Sequence, residues 1–300
     1  MIASKILTIL RGFYFITSRI GPNGFSSYNF VYYTALDVLS AHPTYAATFT
    51  TSIAPAAIAE PSLPARQLTL YFLNTTEHLL PLLPTALIES TILPTITLYL
   101  TPPPSPSLHP LFESAHTIIL ALISSHTHAP VAAAFLPYYI DAVFKSFPHA
   151  LSARQFRLAY TTLIRECSPP HPIAATHANM VDILLELLLE RTATAGTAAL
   201  PEGIDEGAVG LAERDVTVLA LVDSLPVMEV GVMERWLDET ARLVNTLADP
   251  ARARERLWEV LSSELDVSRA EMAVRWWQMG GREKSLGLSI RTPVMEQSRL

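Results

Sequence analysis

The sequence predicts an all-α fold, an irregular stack of antiparallel helical hairpins resembling an α-solenoid, and three observations carry that expectation. Apolar side chains recur at three- and four-residue steps through nearly every block. Capping residues stand where those steps begin and end. Strand signals are nearly absent: there are no alternating Val/Ile/Thr runs with Asn-Gly turns and no strand–glycine–helix units. Half of the 300 residues are hydrophobic, enough for a continuous core. No exact period of the ankyrin or tetratricopeptide kind is present, so the helix content is better defined than the type of repeat.

Residues 1–24 form an unassigned amino-terminal segment. Within it, 2–20 is apolar and carries Lys5, Arg11 and Arg19 but no acid. A first core helix, the ragged start of a gene, a membrane-surface helix and an organelle-targeting segment all share that pattern. Gly21 to Gly24 then break the chain. Residues 25–100 read as an N-terminal helical part with helices near 26–41 and 64–80, the second with Pro64 in its first turn, where the missing N–H costs nothing. Prolines at 43, 55, 61, 81, 84 and 94 keep the helical pieces short. Residues 101–110, TPPPSPSLHP, contain five prolines and are expected to be a linker or long loop and the domain boundary.

Residues 111–280 are expected to be a stack of helical hairpins. After a helix near 110–125, residues 130–168 predict two helices joined by a short turn. In the first, Leu136, Ile140, Val143, Phe144 and Phe147 form one face, and Pro148 ends it. In the second, Phe156, Ala159, Tyr160, Leu163 and Cys167 point inward while Arg154, Arg157, Thr161 and Arg165 hold the polar side. Ser152 and Gln155 have the spacing of a capping box. Residues 177–191 are apolar around most of their circumference, which predicts an inner helix covered on two sides. Four more helices are expected near 208–224, 228–248, 250–264 and 269–279, with Asp249-Pro250 and a Ser268/Glu271 capping box as starts and Gly280-Gly281 as the last stop. Residues 281–300 then form a flexible tail.

Several function classes are excluded or weakened. With 21 basic and 28 acidic residues, a net charge of −7 and no Lys/Arg block, nucleic acid is not an expected partner. Cys167 is the only cysteine, so no internal disulfide or cysteine-based zinc site exists, and its place on the Phe156 stripe predicts burial. There is no G-x-G-x-x-G, P-loop, G-x-S-x-G or H-E-x-x-H. Glu113 and His116 occur at i, i+3 only once, and His126 and His128 precede Pro130 without nearby carboxylates or cysteines. No catalytic, cofactor-binding or metal-ligating residue is therefore assigned. From Met1 to Pro110 there are only four basic and four acidic residues, but the uncharged runs 38–59 and 114–140 are too interrupted to span a membrane. Peripheral membrane contact and a missing partner surface both remain compatible with them.

Two features point to partners. All four tryptophans lie between 236 and 277; Trp236 and Trp276 share stripes with apolar neighbours, and one of the adjacent Trp276/Trp277 pair must point elsewhere, as a candidate partner contact. The chain ends Ser298-Arg299-Leu300, the small–basic–leucine carboxyl-terminal tripeptide read by the soluble peroxisomal import receptor.

The ordered blocks SSYNFVYYTALDVLSAHP (26–43), LYFLNTTEHLLPLL (70–83), FLPYYIDAVFKSFPHALSARQFRLAYTTLIRECSPPHP (135–172), ILLELLLERTATAGTAALP (183–201), LALVDSLPVMEVGVMERWLDETARLVN (219–245) and RLWEVLSSELDVSRAEMAVRWWQMGGRE (256–283) resemble the fungal intraperoxisomal peroxin, the peroxin eight family. That resemblance implies a non-enzymatic scaffold on the lumenal face of the peroxisomal membrane. It would link the receptor docking complex to the RING-finger complex and bind the cargo receptor during matrix protein import. The chain is short for the family, which leaves open whether an amino-terminal portion is absent or misread. The alternatives are a peroxisomal matrix enzyme delivered by the same tripeptide and a generic helical-repeat adaptor.

Overall fold

A computed structural model describes residues 2–20, 25–56, 58–200 and 210–288. The chain divides into two compact units, 1–151 and 152–300. Both are helical, and among the described residues the only β feature is an isolated bridge between Ala199 and Ala212.

The first unit contains α1 (Ile2–Ile20), α2 (Ser26–Ser40), α3 (Pro43–Ile53), α4 (Leu63–Leu79), the short α5 (Thr85–Leu87) and α6 (Leu93–Thr97), α7 (His109–Ile123) and α8 (Ala129–Ser146). Prolines start rather than merely separate these helices: α3, α4, α7 and α8 each carry one in the first two positions, where its fixed φ suits the helix and no hydrogen bond is lost. α4 packs against α1 and α7 and fully buries Tyr71, Phe72, Leu73 and Leu79. The tyrosines bury their rings while keeping the hydroxyl satisfied. Tyr71 donates to the Leu7 carbonyl at 2.8 Å, Tyr28 donates to the Leu10 carbonyl at 3.1 Å, and Tyr32 shares a 2.9 Å bond with Thr75. These bonds tie α1 to α2 and α4, so residues 2–20 include a true core helix, with Ala3 and Leu7 buried.

The proline-rich stretch 101–110 lies inside this unit, and the division between units falls at Leu151/Ser152 instead of at 101–110. Tyr99, Leu100 and Leu108 are buried on and beside the loop, so apolar anchors hold a segment whose composition alone suggested a linker. Both helices expected in 130–168 form, but the division runs between them, with α8 in the first unit and α9 in the second.

The second unit contains α9 (Ala153–Glu166), α10 (Pro172–Thr176), α11 (Met180–Thr194), α12 (Glu213–Ser224), α13 (Val230–Asn245), α14 (Ala251–Glu259), α15 (Val267–Trp276) and α16 (Arg282–Ser285). The Ser152/Gln155 capping box is complete: Ser152 Oγ accepts from the Gln155 N–H at 3.1 Å and Gln155 Oε1 accepts from the Ser152 N–H at 2.9 Å. Phe156, Ala159, Tyr160, Leu163 and Cys167 are all buried, as their spacing requires.

The inner helix of this unit is α12, not 177–191. Residues 216–222 of α12 are buried without interruption, and α12 packs on α9, α11, α13 and α14. On α11, Ile183 is half exposed beside the Asp182, Glu186 and Glu190 line, so this helix is covered on one side only. Arg157 is likewise not idle on a polar face. It pairs with Asp223 at 2.6 Å, and Arg256 reaches the other oxygen of the same carboxylate at 2.8 Å.

Two helix starts and the last stop differ from the sequence reading. Asp249 accepts from the Ala251 N–H at 3.1 Å, as a cap one residue earlier than a formal N-cap. α15 is capped by Asp266, which accepts from the Arg269 N–H at 3.0 Å; Ser268 lies in the first turn and Glu271 pairs with Arg275. Gly280, with φ of 108°, kinks the chain rather than ending the fold. α16 follows, with Ser285 buried. Asn245 donates to the Lys284 carbonyl at 2.6 Å, and Lys284 pairs with Asp238 at 2.6 Å. Ordered structure therefore continues past residue 281, where a flexible tail was expected.

Candidate interaction surfaces

Of the titratable residues with motif-like spacing, His116 and His128 are built into the core. Glu113 and His116 diverge: Glu113 lies 3.9 Å from His109, while His116 is buried with its ring 4.5 Å from that of Phe112 and its Nδ1 3.3 Å from the Tyr139 hydroxyl. His128 is buried with Nε2 3.1 Å from the Leu80 carbonyl, whereas His126 is exposed. The Cys167 thiol is buried, and that burial pushes its pKa up to about 12, leaving almost no thiolate at neutral pH.

Burial lowers the His116 pKa from 6.5 to about 4, because the charged imidazolium is disfavoured away from water. The folded state holds His116 neutral where the unfolded chain would protonate it. Its contribution to stability is therefore complete above pH 6.5 and is lost as the pH falls toward 4. Urea denaturation across that interval should show a loss of about 3 kcal/mol traceable to this residue. In His116→Phe the stability profile should be flatter there; an unchanged slope would mean that other groups carry it.

Large apolar side chains also stand exposed. On α1 the residues Ile2, Ile6, Ile9, Phe13, Ile16 and Ile20 follow a 4-3-4-3-4 spacing, which is that of a coiled-coil seam. Ile2, Ile9, Phe13 and Ile20 are 77, 62, 50 and 54% exposed, and no acidic residue lies on the helix. The core-facing side is a different stripe, which includes Ala3 and Leu7. Phe30 and Val38 on α2 and Tyr45 on α3 are also exposed. Sequence reasoning missed this second seam because composition alone showed only that 2–20 is apolar. Counting the 3- and 4-residue steps separately on each face would have found it.

In the second unit the adjacent tryptophans keep their ring centroids 6.4 Å apart but take different further partners. Trp276 donates from Nε1 to Asp238 at 2.7 Å and underlies Gly281, where an added Cβ would come within 2.5 Å of the indole. Trp276 therefore braces the Gly280 kink. Trp277 meets Trp258 with ring centroids 5.1 Å apart. Trp258 is half exposed, and Val274 and Met279 stand open on the same segment of the unit. Trp258 was not among the expected partner residues. Ser298, Arg299 and Leu300 lie outside the described residues. No single helix among the described residues is long and apolar enough to cross a membrane.

Residues 46–124 match the PEX8 central TPR-like domain, and residues 130–282 match the PEX8 C-terminal domain. The chain belongs to the PEX8 family. It is similar to the Peroxisomal membrane protein PEX17 of Yarrowia lipolytica, with 28% identity over 312 residues, covering 92% of this chain and 46% of that protein. It is also similar to Peroxisomal biogenesis factor 8 of Komagataella phaffii, with 25% identity covering 91% and 46%, and to that of Pichia angusta, with 24% identity covering 91% and 44%. The chain thus spans a little under half the length of these curated relatives. No solved structure matches it. PEX8 membership places it among the peroxins. The gap between the two matched PEX8 segments falls at 125–129, not at the proline-rich loop.

Proposed function

We propose that the chain is a scaffold of peroxisomal matrix protein import, acting on the lumenal face of the membrane. In this reading it links the receptor docking complex to the RING-finger complex and binds the cargo receptor. The observation that carries the reading is the pairing of PEX8 membership with large apolar surfaces on helical units. These are the α1 seam, with 50–77% exposure at four positions, and the Trp258/Trp277 edge. Contiguous exposed apolar surface costs solubility and is characteristic of interaction sites. Trp277, with Trp276 holding its segment in place, is the proposed partner contact in the second unit, and the α1 seam also fits peripheral membrane contact.

Ser298-Arg299-Leu300 is the proposed receptor-binding signal. Its recognition requires a free α-carboxylate, a cationic second side chain and an apolar last one, because a carboxylate drawn out of water without charged or hydrogen-bonding partners is costly. Deleting Leu300 moves the carboxylate by one residue and removes the apolar anchor. In a fluorescence-anisotropy titration against the receptor's peptide-binding domain, a peptide spanning Gly287 to Leu300 should bind, and its truncated form should bind at least about tenfold more weakly. Equal affinities, or no binding by the intact peptide, would remove the tripeptide from the reading.

A further inference from the structure

A cleft of about 350 Å³ opens in the first unit between α1 and the first turns of α4, with Arg11 and Phe15 on one side and Leu63, Gln67 and Leu68 on the other. No acidic side chain lines it. Its walls are mainly apolar, yet Arg11 Nε and Gln67 Oε1 are both shielded from solvent without a hydrogen-bond partner among the described residues. A donor and an acceptor atom shielded from water and left unmade in one cleft are each costly. α4 also begins here: Ser62 makes no side-chain cap and the first turn carries no acid. The positive end of the helix dipole is therefore uncompensated at the cleft.

These groups ask for one kind of ligand. Arg11 and the α4 terminus call for an anion with planar acceptors, Phe15, Leu63 and Leu68 call for an apolar stem, and Gln67 Oε1 calls for a donor beside the anion. We propose that this cleft binds a carboxylate carried on an apolar stem. The carboxyl-terminal residue of a peptide ending in an apolar side chain presents all three features, its own N–H supplying the donor for Gln67. A free aliphatic acid presents the first two.

Isothermal titration of the full chain with acetyl-Ala-Ala-Leu, its carboxamide, octanoate and octanol separates these sources. The carboxylate form of at least one pair should bind at least about tenfold more tightly than its neutral counterpart, and Arg11→Gln should abolish that preference. Arg11 Nε has no hydrogen-bond partner among the described residues to lose, so the thermal melt should move little. Leu63→Glu, at the exposed rim, places a like charge against the ligand and should weaken the same binding. Loss of peptide binding in Gln67→Leu with octanoate retained would identify the peptide terminus as using the donor site. Equal binding of charged and neutral forms, no binding by either carboxylate, or a preference that survives Arg11→Gln would overturn the proposal.

Discussion

Phe156→Ala should lower the stability of the second unit by about 3–5 kcal/mol, the cost of removing a large side chain from a closed core and leaving a cavity. Phe156 is fully buried and its ring is 5.7 Å from that of Tyr160, which itself donates to the Leu184 carbonyl, so the cavity would open beside Tyr160 in the core of the second unit. Leu158 on the same helix is 59% exposed, and Leu158→Ala should stay within about 0.5 kcal/mol. Urea denaturation of the two variants compares the faces of one helix with the backbone held constant. Equal losses would mean that α9 is rotated from the position described.

Asp223→Ala should cost about 2–4 kcal/mol, because it leaves two guanidiniums without their shared carboxylate. The Asp223 side chain is 13% exposed, and those of Arg157 and Arg256 are 26 and 23% exposed, so the triad is partly withheld from water and poorly screened by salt. Arg256 would keep Glu259 at 2.6 Å and Glu264 at 2.5 Å, which holds the loss below that of a fully buried pair. The comparison is Arg275→Ala, whose partner Glu271 is 76% exposed; that change should cost less than about 0.5 kcal/mol. Denaturation at low and high salt should show the Asp223 loss persisting. A loss that vanishes in high salt would reduce the triad to a surface ion pair.

Periodicity and caps carry local information: the inward stripe of α9 and its capping box formed, while the Ser268/Glu271 box gave way to Asp266 two residues earlier. The Phe156 stripe, the Ser152/Gln155 box and the proline-led α4 all follow from residues within one or two turns of each other. What sequence could not supply were relations set by tertiary contact. The proline-rich loop looked like a boundary because composition registers chain stiffness and is blind to Tyr99, Leu100 and Leu108 anchoring it. α11 looked like the inner helix because its apolar residues ring the circumference, yet α12, flanked by Glu213 and Asp223, is the one enclosed. Arg157 looked idle because its partner lies 66 residues away. Of the candidate surfaces, the adjacent tryptophans were visible as a pair, but which of them braces Gly281 depends on a kink at a single positive-φ glycine. The Arg11/Gln67 cleft was out of reach, since it exists only where α1 crosses the start of α4.

Affinity purification of the tagged full chain from cells with proliferated peroxisomes, followed by mass spectrometry, tests the scaffold most directly. The account predicts recovery of the cargo receptor together with docking-complex and RING-finger peroxins, and weakening of that recovery when Ile9 and Phe13 on the α1 seam, or Trp277 in the second unit, are replaced by serine. Recovery of the chain as a lone soluble matrix protein, with none of those peroxins, would contradict it.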